Sequence, residues 1–188
     1  MALKLFILIL AFAVLGTYLI AKIREARTEA RYPPIGQTIK VNGKNIQAYV
    51  TGSGPDLVMI HGSSGNMRDL ILALEDTLAA HFRVIIFDRP GLGYSDRLRS
   101  DGDKFINQAM ILRDAAKKLG AEKPIVLGHS LGGIISMAWA TQAPDDLSAL
   151  ALISPVVMPF DTPTSTYYKI NKHPIIGPFV NHFIGAFH

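Results

Sequence analysis

The sequence predicts an α/β domain with a mostly parallel sheet and flanking helices, carried behind a transmembrane helix. Three observations predict it. Short unbroken apolar runs at residues 56–62, 82–88, 124–128 and 147–154 have the length and composition of strands buried on both faces. Stretches with helical spacing lie between them, so strand and helix alternate along the chain. An uncharged run, LFILILAFAVLGTYLIA at 5–21, stands near the N-terminus.

Composition narrows the function classes. The chain has 188 residues, 49% of them apolar, enough for one domain with a real core. It has no cysteine, which excludes disulfides and thiolate metal sites. The net charge of +4 does not point to nucleic acid. Residues 1–34 carry Lys4, Lys22, Arg24, Arg27 and Arg31 against Glu25 and Glu29, a balance of +3, so the remainder is nearly neutral and offers no phosphate-binding stripe.

Residues 1–34 read as a membrane anchor with a juxtamembrane helix. Leu3 and Ala2 extend the apolar run, Lys4 can snorkel, and Tyr18 suits the interface. KIREARTEAR (22–31) continues the helix with alternating charges until Tyr32-Pro33-Pro34 stops it. The alternatives are a cleaved signal peptide, for which there is no clear small-residue cleavage site, and a buried core helix. Four Lys/Arg after the span and one before it place the following domain in the cytoplasm by the positive-inside rule.

The core is expected over 35–155. Alternating runs on either side of Asn42-Gly43 signal a hairpin. DLVMIHG (56–62) is a buried strand, and 67–80 is helical, with Leu70, Leu74 and Leu78 four apart. FRVIIFD (82–88) is the next strand, 104–119 the next helix, ended at Gly120. PIVLG (124–128) is followed by a helix over 131–143 that Pro144 stops, and LSALALIS (147–154) reads as a fourth buried strand. From 156 to 188 prolines, aromatics and loose helical spacing resemble the start of a lid.

Chemistry concentrates at three turns. In GHSLGG, Gly128 and Gly132 flank Ser130 between a buried strand and a helix, which is what a sharp strand-to-helix turn requires. Such a turn holds the serine in strained backbone with its hydroxyl exposed and aims a helix N-terminus at it. HGSSGN (61–66) follows another strand; Gly62 permits close approach, Ser63 is placed to give one backbone N–H to an oxyanion, and Leu131 the second. His61 shapes this loop and is not a general base. The alternative for the serine stretch is an ordinary Gly-rich turn. No Gly-Lys-Ser/Thr follows, which excludes a P-loop, and DRPGLGYSD (88–96) has Asp96 where a dinucleotide loop needs a third glycine. Asp88 reads as a loop anchor.

Together HGSSGN, DRPGLGYSD, GHSLGG and LISP resemble the α/β-hydrolase fold superfamily, in its single-hydrolase-domain, serine-nucleophile branch, over residues 36–155. The resemblance implies that Ser130 is the nucleophile and that Ser63 and Leu131 form the oxyanion hole. It implies no metal and no cofactor. Relatives that cleave carbon–halogen bonds or epoxides carry aspartate at the nucleophile position, so Ser130 favours esterase-type, C–C hydrolase or perhydrolase chemistry on a small molecule.

In that family the acid follows the seventh strand and the histidine the eighth, and this chain reaches a sixth strand and the start of a lid. His129 is turned away by the elbow, His81 stands at the wrong end of the sheet, and His173, His182 and His188 fall in the lid-like tail, as does Asp161. The expectation is therefore a C-terminally truncated hydrolase with little or no turnover of its own. The membrane anchor and apolar tail favour a lipophilic acyl substrate. The rivals are a non-catalytic binding protein that keeps the pocket and, resting only on residues 2–21, a membrane scaffold.

Overall fold

The computed structural model describes residues 2–98, 102, 104–157, 166–171, 173, 176, 177 and 180. The chain divides into two compact units, one of Pro34–Pro159 and a second of Met1–Pro33 with Phe160–His188.

In the second unit, α1 runs unbroken over Ala2–Arg31, and apart from Lys4 its first two-thirds carries no charge. One such helix, with a mean hydropathy of 2.4 over its most apolar window and none of that window buried, is long and apolar enough to cross a membrane by length and composition. A short helix, α5 (Thr166–Asn171), also belongs to this unit.

Pro34–Pro159 is built on one six-stranded mixed sheet in the order β1-β2-β4-β3-β5-β6. The strands are β1 (Gln37–Val41), β2 (Lys44–Thr51), β3 (Asp56–Ile60), β4 (Arg83–Phe87), β5 (Ile125–His129) and β6 (Ala149–Ile153). Asn42 and Gly43, both at positive φ (50° and 75°), close the antiparallel β1–β2 hairpin, the backbone a two-residue turn between right-twisted strands demands. β2 pairs antiparallel with β4, while β4, β3, β5 and β6 run parallel. Between these come α2 (Met67–Ala79), α3 (Phe105–Lys118) and α4 (Leu131–Gln142).

The unbroken apolar runs are explained by two cores, one on each face of the sheet. Val58, Ile60, Ile85, Phe87 and Val126 pack with Leu112, Ile135 and Trp139 from α3 and α4. Their neighbours Leu57, Met59, Val84, Ile86 and Leu127 pack with Met67 and Leu70 from α2. Side chains alternate faces along a strand, so only strands covered on both sides need apolar residues throughout.

Helix ends follow from local chemistry. Asn66 caps α2 by accepting the Arg68 N–H at 2.9 Å, and Asp69 returns the bond to the Asn66 N–H at 3.2 Å. At the end of α3 the Gly120 N–H donates to Lys117 O and the Ala121 N–H to Ala116 O, with Gly120 at φ 81°. This is the Schellman arrangement, and it places a glycine where a left-handed residue is needed.

One expectation is corrected. LSALALIS reads as a buried strand, yet β6 is largely exposed: Leu150, Leu152 and Ile153 keep 37–38% of their surface. β6 pairs with β5 on one side, and among the described residues no strand pairs with its other edge. An apolar run reports what a strand can bury, not which neighbours cover it.

The strand order positions the site. β4 and β5 lie on opposite sides of β3, so the connections after β3 and β5 depart from adjacent carboxyl ends. In open parallel sheets that switch of direction opens the crevice where ligands bind.

Candidate active site

Ser130 occupies the turn from β5 into α4 with φ 52° and ψ −120°. For an L-residue with a side chain this conformation costs about 1–3 kcal/mol and persists only where the surroundings hold it. They do so here through three backbone hydrogen bonds. The Ser130 N–H donates to Ile153 O at 3.0 Å, and Ser130 O accepts the N–H groups of Gly133 (2.9 Å) and Val156 (3.0 Å).

The glycines are required by close approach. A Cβ on Gly128 would lie 2.5 Å from both Gly132 O and Ser136 Oγ, and one on Gly132 would run into the carbonyl oxygens of Ile60 and His61. The turn is therefore wedged against the end of β3. A Cβ on Gly62 would meet Ser130 Cβ at 3.1 Å and His129 Nδ1 at 3.4 Å, so the loop after β3 lies directly against the serine.

Ser63 follows in that loop and is exposed, while Leu131 opens α4. Among the described residues neither the Ser63 N–H nor the Leu131 N–H has an acceptor. The Leu131 N–H belongs to the first turn of a helix, where unpaired donors and the helix dipole favour negative charge. Ser130 itself is half-buried, and unpaired backbone N–H groups are the kind of donor that can stabilise an oxyanion.

His61 is fully buried, and its bonds fix its tautomer. The Arg89 N–H, which can only donate, meets His61 Nε2 at 3.0 Å, so Nε2 carries the lone pair and the proton sits on Nδ1, 3.0 Å from Gly62 O. Burial, reinforced by the Arg89 charge, pushes the imidazole pKa down to about 4. A neutral ring with its lone pair already engaged orders the loop and has no free base to offer Ser130.

Asp88, at the carboxyl end of β4, is also tied up. Its two carboxylate oxygens accept the N–H groups of Met67 (2.8 Å) and Tyr94 (2.9 Å), linking the start of α2 to the DRPGLGYSD loop. Burial pushes its pKa up, against the pull of these bonds. Ser95 completes the loop, donating to Asp88 O at 2.7 Å and accepting the Gln47 N–H at 2.9 Å.

Ser130 Oγ has no hydrogen-bond partner among the described residues. His129, expected to be turned away, is exposed; its ring lies against Gly62, beside Ser130, without a bond to the hydroxyl. His81 lies just ahead of β4, at the amino end of the parallel strands, opposite the serine. Asp161, His182 and His188 lie outside the described residues. Among the described residues no cluster of three or more His, Asp or Glu could hold a metal.

Sequence reasoning missed Arg89. The residue is 3% exposed, and its guanidinium donates to Gly62 O (2.8 Å) and Gln108 Oε1 (3.1 Å). An arginine just after an apolar strand looks like a solvent-facing loop residue, and nothing in the local pattern marks it as buried.

The sharp serine turn, the glycine loop against it and the strand order match one family. The family described as alpha/beta hydrolase fold matches residues 55–174. The chain belongs to the α/β-hydrolase fold family. This α/β-hydrolase is 36% identical over 114 residues to the pimeloyl-[acyl-carrier protein] methyl ester esterase of Chromobacterium violaceum, covering 58% of this chain and 41% of that one. It is 35% identical over 122 residues to an uncharacterised protein of Mycobacterium tuberculosis, covering 65% of this chain and 35% of that protein. The matched part thus spans well under half the length of these curated relatives. Among solved structures, a membrane phospholipase A described as a bacterial virulence factor is 25% identical at a TM-score of 0.61, covering 90% of this chain and 57% of that one. The meta-cleavage product hydrolase of Pseudomonas fluorescens IP01 is 18% identical at a TM-score of 0.63, covering 82% and 65%, a likeness of fold alone.

Proposed function

We propose that the protein is a membrane-anchored serine hydrolase acting on esters or related acyl compounds. The observation that carries this reading is the backbone of Ser130: a strained φ of 52° at a strand-to-helix turn with Gly62 packed against its Cβ. In the proposed reaction Ser130 Oγ attacks the acyl carbonyl. The N–H groups of Ser63 and Leu131 hold the oxyanion, collapse of the tetrahedral adduct expels the alcohol, and water then releases the acyl group from the serine. His61, Gly62, Gly128 and Gly132 shape the turn and the loop.

A serine hydroxyl needs a base within hydrogen-bond reach, and the proton acceptor in this proposal comes from outside the described residues. The similarity to a methyl ester esterase supports ester chemistry, and the similarity to a membrane phospholipase A supports a lipophilic substrate met at a membrane. In the proposed arrangement α1 is the anchor, and the charges that follow the span put the hydrolase domain in the cytoplasm.

The test is hydrolysis of p-nitrophenyl esters of increasing chain length by the protein expressed from its own gene in membranes. The proposal expects turnover that Ser130→Ala abolishes. Esters left intact by a folded protein would favour a binding protein that keeps the hydrolase pocket.

A further inference from the structure

Arg89 is a buried cation with no anionic partner among the described residues. It has two hydrogen-bond acceptors, both neutral: the side chain of Gln108 and the carbonyl of Gly62. Its Nε is buried without a partner. Burial lowers its pKa only to about 10, so the charge remains at neutral pH. Keeping an uncompensated charge in an interior is costly, and a methionine or glutamine would fill such a space at lower cost. The charge calls for a use.

Its direction identifies one. Arg89 Nη2 donates at 2.8 Å to Gly62 O, and His61 Nδ1 donates at 3.0 Å to the same oxygen. The other end of that peptide unit is the Ser63 N–H, which has no acceptor among the described residues. In a trans peptide the C=O and N–H point in opposite directions, so two donors behind the carbonyl fix where the N–H points. A charge-assisted bond to the carbonyl also polarises the amide and makes its N–H a stronger donor. The same backbone N–H of Arg89 that bonds His61 Nε2 selects the tautomer that lets the imidazole share in this.

We propose that Arg89 is a positioning residue of the oxyanion hole, orienting and polarising the Gly62–Ser63 peptide from behind. The proposal rests on the reading of Ser63 N–H as an oxyanion donor, and the experiment separates the two. An alkyl trifluoromethyl ketone adds reversibly to a serine and places an oxyanion in the hole, whereas the parent methyl ketone reports ground-state binding. In the wild-type protein, expressed from its own gene, the fluorinated ketone is expected to bind tighter in a Ser130-dependent way; equal binding of the two ketones overturns the oxyanion reading itself.

If that preference is present, Arg89→Gln is expected to weaken the fluorinated ketone by about tenfold, less than the roughly hundredfold or more lost with an oxyanion donor itself, while the methyl ketone is held as before. Arg89→Lys, which keeps the charge and loses the fork, is expected to recover part of the loss. A merely structural role would weaken both ketones together, and a folded Arg89→Gln protein with unchanged preference overturns the proposal. Should neither variant fold, labelling with carbonyl-13C glycine and 15N serine selects only Gly52–Ser53 and Gly62–Ser63 in the wild-type chain. The Gly62 carbonyl and Ser63 amide proton are expected downfield of the other pair, and coincident shifts would overturn the proposal.

Discussion

The Ser130 N–H donates to the carbonyl of Ile153 at 3.0 Å, so the strained turn hangs from the end of strand β6. The Ser130 carbonyl is held in turn by Gly133 and by Val156, two residues past Ser154, itself at a positive φ of 43°. Strain at the serine is thus maintained by the edge strand and the chain that leaves it. A change that loosens β6 is expected to relax the serine without touching it. Leu152→Asp, on the exposed part of β6, is expected to leave the Trp139 environment intact and to slow acylation at Ser130, measured by stopped-flow with an activated ester.

Trp139 is the single tryptophan, fully buried between α4 and the sheet, and so reports unfolding of the core. With that probe, Gly132→Ala is expected to be far more damaging than Gly62→Ala. The first places a methyl into the backbone carbonyls of Ile60 and His61, which cannot move without parting β3 from α4; the second meets Ser130 Cβ at 3.1 Å. Overpacking of this kind typically costs about 1–3 kcal/mol and more where backbone must shift. Urea midpoints of the two variants check the order.

His61 makes stability depend on pH. Its folded pKa of about 4 lies below the unfolded value of 6.5. Between these values the unfolded chain takes up a proton that the folded chain refuses, so stability present above pH 6.5 is lost as pH falls toward 4, by up to about 3 kcal/mol. Asp88, whose carboxyl is held above the usual range by burial, works in the opposite sense, adding stability as pH falls through its folded pKa. His61→Gln keeps the acceptor for Arg89 N–H and is expected to remove the first slope alone. Urea titrations of both proteins at pH 7, 6, 5 and 4 isolate it as the difference.

Asp88→Asn keeps size and replaces one acceptor oxygen with an NH2 that faces a backbone donor, either that of Met67 or that of Tyr94. The expected loss is about 1–3 kcal/mol, the cost of an unsatisfied buried group. Ser136→Ala works the other way. Ser136 Oγ is buried with no partner among the described residues, so its removal is expected to be neutral or mildly stabilising. Thermal unfolding of the two variants side by side checks the opposite signs.

Much of this architecture is legible in the sequence because local rules and burial agree there. Asn42-Gly43, Gly120 and Pro144 each stop an element at the residue where backbone chemistry requires it, and the doubly buried strands β3, β4 and β5 carry polar residues only at an end, Asp56, Arg83 and His129. β6 shows the limit, since its apolar run carries no information on which neighbours cover it. Within the site, Ser130 and its glycines are legible because a tight turn needs small residues at fixed spacing. Arg89 is not, because its partners Gly62 and Gln108 lie 27 and 19 residues away and only the folded sheet brings them together.

Ser130 is the proposed nucleophile, and its reactivity can be read directly. A fluorophosphonate probe phosphonylates such a serine, and peptide mapping locates the label. With the protein expressed from its own gene, one modified peptide is expected, carrying the phosphonate on Ser130 and absent from Ser130→Ala. A protein whose Trp139 emission shows an intact core, yet whose Ser130 stays unmodified at saturating probe, would contradict it.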